Sequence, residues 1–474
     1  MWPLQYISTR GEAPKLGFSD ALLTGLARDG GLYVPEEWPQ FSKREIRKLR
    51  GQTYQSVAHA VLYPFVEGDI SSEDFREMID AAYATFRHPA VVPLVQSGSN
   101  SFIMELFHGP TLAFKDVAMQ LLARLMDQVL QRRNQRATIV GATSGDTGGA
   151  AIDAFAGRDN TDIFILFPHG RVSPVQQRQM TTSGAANVHA LAIEGNFDDC
   201  QNLVKAMFND IGFRDGVHLS GVNSINWARI MAQIVYYFTT ALSLGAPDRK
   251  VSFTVPTGNF GDIFAGYCAK RMGLPIAKLI IATNDNDILA RTLRSGRYEM
   301  RDVVATTSPS MDIQISSNFE RLLFDAFERD SSAVRQCMDG LVQSRAFTIE
   351  ANALKAIKRE FSAGKANQKQ AAAAIRDTLA QQDYLLEPHT ASGIHVANRF
   401  EKPNAPMVTL ATAHPAKFPD AVKSACDVDP ALPSWLSDLM RREETFELLQ
   451  PDLEIIESFI ARNARAAQNS RIES

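Results

Sequence analysis

Lys115 is the residue whose type and position most suggest chemistry. At the helical period, Phe114, Ala118, Leu121, Leu122, Leu125, Met126 and Val129 form one apolar stripe, while Asp116, Gln120, Arg124 and Asp127 fall on the polar side. Lys115 projects only about 40° from the centre of the stripe, so it is expected to point inward. A buried ammonium is costly unless it is paired or its amine is consumed covalently, and desolvated lysines are the ones that condense with carbonyl compounds. The alternative is a lysine that snorkels to water along its alkyl stem.

Two glycine-bearing runs offer the complementary chemistry. Of the 29 glycines, four fall in Gly141-Ala-Thr-Ser-Gly-Asp-Thr-Gly-Gly149, where average usage predicts about half of one. Backbone N–H groups in such a loop, joined to a helix start, cradle an anion, and Thr143, Ser144 and Thr147 add hydroxyl donors. The spacing is neither G-x-G-x-x-G nor a P-loop ending in Gly-Lys-Ser/Thr. Gly258-Asn-Phe-Gly261 is a second candidate cradle. Either run alone could be no more than a tight turn. An inward lysine with two anion cradles suits pyridoxal phosphate, whose aldehyde takes the amine, whose phosphate takes a helix start and whose ring stores electrons.

The elements that must hold these groups are strands and helices in alternation. Ala137–Thr143 is predicted as a buried strand, 144–148 as a loop, 149–158 as a helix and Asp162–Pro168 as a strand. The plan recurs with a strand at Val251–Pro256, a loop at 257–261, a helix over 262–272 and a strand over Ala277–Thr283. Two such units, separated by helical stretches such as 199–209 and 227–244, predict an α/β protein with two open parallel sheets. The expected division is 1–93, mainly helical and including a helix from Ser72; 94–250 with the lysine and the first loop; 251–426 with the second loop and a helical insertion over 331–382; and 427–474, a helical, charged tail. Pro406–Thr412 is a late strand.

Composition narrows the partners. Lys plus Arg is 49 against 53 for Asp plus Glu, a net charge of −4, so nucleic acid and acidic membrane surfaces are not expected. Cys200, Cys268, Cys337 and Cys426 are too widely spaced for a zinc knuckle or a disulfide framework, which suits a reducing cytoplasm. Neither a leader sequence nor a membrane span is predicted. The nine histidines include no H-E-x-x-H, so no metal is expected.

His108-Gly-Pro-Thr-Leu-Ala-Phe-Lys-Asp116 resembles the cofactor-lysine motif of threonine synthases, pyridoxal-phosphate enzymes of fold type II, the tryptophan-synthase-like fold. In family order follow Ala142-Thr-Ser-Gly-Asp-Thr-Gly148, Ser173-Pro-Val-Gln-Gln-Arg-Gln-Met180, Asn223-Ser-Ile-Asn-Trp-Ala-Arg229, Pro256-Thr-Gly-Asn-Phe-Gly261 and Ala413-His-Pro-Ala-Lys-Phe418, after an N-terminus that opens Tyr6-Ile-Ser-Thr-Arg-Gly11. The resemblance covers nearly the whole chain. It implies that Lys115 carries the cofactor as a Schiff base, that Gly258, Asn259, Phe260 and Gly261 hold its phosphate, and that Thr412 lies near the pyridine nitrogen. The loop with Ser144, Gly145, Asp146 and Thr147, preceded by Thr143, would receive the substrate carboxylate. Asn226 and Arg229 are candidate contacts to the substrate phosphate, weighed against a helix cap and a surface arginine. His108 is a candidate for lining the site, weighed against a satisfied structural histidine, and His414 is weighed equally against a loop residue. Asp146 departs from the Asn that many members of the fold type place in this loop.

The activity so implied is conversion of O-phospho-L-homoserine and water to L-threonine and phosphate, by a cytoplasmic monomer or homodimer. A dehydratase or β-replacement enzyme of the same fold, and a protein that binds cofactor or a phospho-ligand without turnover, are the alternatives.

Overall fold

The structure, a computed structural model, describes residues 3–400 and 405–469. Residues 1–2, 401–404 and 470–474, which belong to the expected N-terminal, third and tail segments, lie outside the described residues. The chain groups into two compact units, each built from separated stretches: residues up to His108 with Ser224–Pro430, and Gly109–Asn223 with the residues from Ala431 onward. No helix among the described residues is long and apolar enough to cross a membrane.

The first unit is organised on a six-stranded sheet in the order Phe361–Lys365, Ile276–Thr283, Val251–Pro256, Met407–Ala411, Ser101–Glu105, Leu94–Gln96. Neighbours are parallel except at the last edge, where Leu94–Gln96 runs antiparallel to Ser101–Glu105. Val251–Pro256 is buried along its whole length, as a strand covered on both faces requires. Beside it pack helices such as Trp227–Ser243, whose residues from Trp227 to Phe238 are all buried. Near the N-terminus, Ser71 caps the helix Ser72–Tyr83 by accepting from the Asp74 amide, and two short strands, Tyr6–Ser8 and Tyr33–Pro35, pair antiparallel.

The second unit carries a five-stranded, wholly parallel sheet in the order Glu447–Leu449, Val188–Ile193, Thr161–Pro168, Ala137–Ala142, Leu219–Ser220. One face is closed by Cys200, Leu203 and Met207 from one helix and by Ile456 and Ile460 from another.

The α/β class and the two sheets follow the sequence expectation, with local corrections. The stretch 331–382 is not wholly helical: Ala346–Thr348 and Phe361–Lys365 are strands between the helices Ser331–Ser344, Ala351–Glu360 and Gln368–Gln382, and the second of them extends the first unit's sheet. The tail is not wholly helical either, since Glu447–Leu449 joins the second sheet before the helix Leu453–Asn463. The helix after the first glycine loop spans Asp146–Phe155, starting three residues earlier than expected.

Candidate active site

In open parallel sheets ligands are taken at the carboxyl ends of strands, and within each unit a glycine loop follows a strand, 143–145 after Ala137–Ala142 and 257–260 after Val251–Pro256. In the second unit, Lys115 opens the helix Lys115–Arg132 and is 7% exposed, inward as expected. The expected polar side of this helix is not a solvent face at its start: Asp116 and Gln120 are buried. Their polar atoms are spent locally. Asp116 accepts from the Thr111 amide at 2.8 Å and its hydroxyl at 2.6 Å, and Gln120 donates to Asp153 at 2.6 Å. This fixes the turn that delivers Lys115, in which Leu112 takes a left-handed φ of 61° that non-glycine residues seldom adopt.

Lys115 Nζ lies 3.5 Å from Asp146 Oδ2 and 5.0 Å from the centre of the Phe114 ring. Asp146 opens the next helix, where a carboxylate is favoured by the helix dipole, and its Oδ1 accepts from Gln176 Nε2 at 2.9 Å. Thr143 Oγ1 accepts from the amides of Gly145 and Gly148, both at 2.9 Å. The Thr143 oxygen is thus a brace that closes the loop early into a helix, and its O–H keeps a proton to donate. Among the described residues no group takes the amides or hydroxyls of Ser144 and Thr147, which are half-buried. Gly145 has φ 135°, and a Cβ there would run into the Gln176 side chain.

Gln176 was not singled out in the sequence, yet it sits at the third position of a helix capped by Ser173, in a capping box that fixes its side chain beside Asp146. The Ser-Pro-x-Gln spacing is the signal that marks it. Three residues on, Gln179 Nε2 donates to the Thr111 carbonyl at 3.0 Å and ties the same helix to the lysine turn.

In the first unit, the run after Val251–Pro256 turns into the helix Gly261–Arg271 through Phe260, which has φ 65°. The Phe260 ring packs on Phe319 and Phe361, so only its backbone is available to a ligand. The carbonyl of Gly258 accepts from Ser316 Oγ at 2.7 Å, and that of Asn259 accepts from the amide and side chain of Asn318 at 3.1 and 3.0 Å. Among the described residues no acceptor takes the amides of Gly258, Asn259, Phe260 and Gly261. Thr412 is buried at the end of Met407–Ala411, its Oγ1 3.5 Å from Glu387 Oε1.

Asn226 caps the helix Trp227–Ser243, accepting from Ala228 N at 3.0 Å and donating to Leu22 O at 2.8 Å. Arg229 is 3% exposed and not a surface arginine; burial pulls its guanidinium down to about 10. His108 Nε2 pairs with Glu105 Oε2 at 2.7 Å. His414 caps the short helix Pro415–Lys417 through Nδ1, and burial pushes it down to about 4.

Pyridoxal phosphate needs an amine, an anion cradle and a hydrogen-bond partner for its ring nitrogen. A buried lysine, a helix start with uncommitted amides and the Thr412 hydroxyl fit that set.

Comparison with known proteins agrees. The chain matches the family models for the threonine synthase N terminus over residues 5–83, pyridoxal-phosphate dependent enzymes over 89–412 and the threonine synthase C-terminal region over 390–460. A threonine synthase of Pseudomonas aeruginosa is 52% identical over 462 residues, 97% of this chain and 98% of that one. A solved structure of pyridoxal-phosphate-bound threonine synthase from Brucella melitensis is 69% identical and superposes with a TM-score of 0.96, covering 98% of this chain and all of that one. Yeast threonine synthase, 39% identical, gives 0.93 and covers 97% of this chain and 99% of that one.

Proposed function

The chain belongs to the threonine synthase family of pyridoxal-phosphate-dependent enzymes, and from that premise we propose that it converts O-phospho-L-homoserine and water to L-threonine and phosphate, with Lys115 as the catalytic amine. The observation that carries the assignment of Lys115 is its burial at a helix start with its amine 3.5 Å from the Asp146 carboxylate. An ammonium so placed is held until a carbonyl claims it.

When bound, the cofactor supplies an electron sink for charge developed at the substrate's Cα and Cβ. The chain's own residues do the rest. Lys115 Nζ would take the proton from Cα, hand it on, and then take the proton at Cβ that lets the γ-phosphate depart from Cγ; it would return protons to Cγ and Cα, while water delivers its hydroxyl to Cβ and its remaining proton to the released phosphate. Asp146 Oδ2 keeps that amine oriented, and Gln176 keeps Asp146 in place. Ser144 and Thr147, with amides and hydroxyls uncommitted, receive the substrate carboxylate, and Thr143 and Gly145 shape the loop. The amides of Gly258, Asn259, Phe260 and Gly261 hold the cofactor phosphate at a helix N-terminus, and Thr412 meets the ring nitrogen. Asn226 and Arg229 stand as the contacts to the substrate phosphate, Arg229 in a buried setting that strengthens any anion pairing. The four free thiols support a cytoplasmic enzyme, working as a monomer or homodimer.

The test is product analysis on the purified holoenzyme. Phosphate release from O-phospho-L-homoserine with equimolar threonine is expected, together with loss of turnover and of the visible cofactor absorbance in Lys115→Ala. Ammonia release from threonine without phosphate turnover, or an active Lys115→Ala protein, would refute the assignment.

A further inference from the structure

One buried carboxylate in the first unit is engaged by more groups than a helix cap needs. Glu387, 1% exposed, precedes the helix Pro388–Ala397 and accepts from the amides of His389 and Thr390 at 2.7 and 2.6 Å. It also accepts from Thr390 Oγ1 and His389 Nδ1, both at 2.6 Å. The imidazole continues outward, because His389 Nε2 lies 3.2 Å from the amide of Ser310. A backbone N–H can only donate, so Nε2 must keep its lone pair and Nδ1 must carry the proton toward Glu387. The pair therefore fixes one tautomer of His389 and, through it, the N–H side of Ser310, the Pro309–Ser310 peptide.

The next peptide, Ser310–Met311, abuts the glycine loop. A Cβ on Gly258 would collide with the Ser310 carbonyl oxygen, so the loop is pressed against it with no room for a side chain. Ser316 and Asn318 hold the carbonyls of Gly258 and Asn259, and in a planar trans peptide the N–H points opposite to its carbonyl. The amides of Asn259 and Phe260 are thereby turned away from these supports. The same Glu387 reaches Thr412 Oγ1 at 3.5 Å, and Thr390 Oγ1 accepts from the Thr412 amide at 3.3 Å.

We propose that Glu387 and His389 are positioning residues for the cofactor: by holding the Ser310 amide they anchor the residue whose carbonyl rests on Gly258, and they steady Thr412, tying the phosphate cradle and the ring-nitrogen partner to one buried carboxylate. The inference rests on the assignment of the Gly258 loop and Thr412 to the cofactor. Neither residue touches the reacting atoms.

The test separates the two nitrogens of His389. In His389→Asn the side-chain amide reaches as far as Nδ1 and leaves Ser310 unheld; in His389→Gln it reaches as far as Nε2 and can accept from Ser310 again. For His389→Asn the dissociation constant of pyridoxal phosphate is expected to rise about tenfold, the weight of roughly one positioning hydrogen bond. The phosphorus NMR resonance of the bound cofactor is expected to move, while the melting temperature of the cofactor-free protein stays near wild type; His389→Gln should recover most of the affinity. Wild-type affinity and resonance in His389→Asn would overturn the role. So would equal impairment of both variants with a matching drop in cofactor-free melting temperature. If His389→Asn does not fold, Glu387→Gln is measured in the same way, and an unchanged affinity and resonance there overturns the role. A wild-type protein that develops no visible band with pyridoxal phosphate overturns the underlying assignment and this inference with it.

Discussion

Asp262 shows how far burial can outweigh local electrostatics. It lies in the first turn of the helix that follows the Gly258 loop, where a negative charge is normally favoured, yet burial pushes its carboxyl up to about 7 in spite of hydrogen bonds from Tyr236 and Tyr237 to Oδ1 at 2.5 and 2.9 Å. Between about pH 4 and pH 7 the folded chain keeps a proton on Asp262 that the unfolded chain has released, so the contribution of Asp262 to stability falls as pH rises through that window. Asp262→Asn retains the acceptor for both tyrosines and removes the titration. Its melting temperature is expected to vary less than wild type between pH 4 and 7, and to exceed it at pH 8, by thermal denaturation across a pH series. At this scale the inward direction of Lys115 was legible in the sequence, because a helical period places a side chain relative to an apolar stripe. It could not reveal the partner, since Asp146 comes from another helix beyond a strand. The burial of Arg229 was not legible for a different reason: its helix is buried on nearly every side, and amphipathic patterning cannot rank faces on such a helix.

Strand, glycine loop and helix were readable as units because Ala137–Ala142 and Val251–Pro256 are short apolar runs cut by glycine. The start of the helix at Asp146 was not, since it depends on the Thr143 hydroxyl reaching forward to two amides. The strand Phe361–Lys365 was missed because Phe-Ser-Ala-Gly-Lys has a single large apolar residue, which an edge strand tolerates but no alternation pattern detects. The helix of Gln176 matters to the loop as a packed support. Gly145→Ala forces a dihedral that only glycine adopts easily and displaces Gln176 from its capping box and from Asp146. A loss of roughly 2 to 4 kcal/mol in urea unfolding is expected, from the strained dihedral and the weakened cap together. A raised KM should accompany it, because the loop and the Asp146 carboxylate move with Gln176.

Reading along a chain yields consecutive segments, whereas contacts assemble the second unit from two stretches that lie far apart in sequence. No local pattern announces this: Glu447–Leu449 is three residues long, two of them exposed, and only its pairing with Leu191–Ile193 makes it part of a sheet. The helix that follows buries Ile456 and Ile460 fully against Val140, Phe164 and Leu191. Ile456→Ala should therefore destabilise the second unit by about 2 to 5 kcal/mol, as core truncations do, which chemical denaturation monitored on the holoenzyme will register. The same arrangement sets a timetable. Roughly two hundred residues are polymerised between Asn223 and Ala431. At about 5 to 20 residues per second this takes on the order of 10 to 40 s. Through that interval the sheet carrying the first glycine loop has been made while its closing strand and helix have not, and an apolar face stands open on the nascent chain.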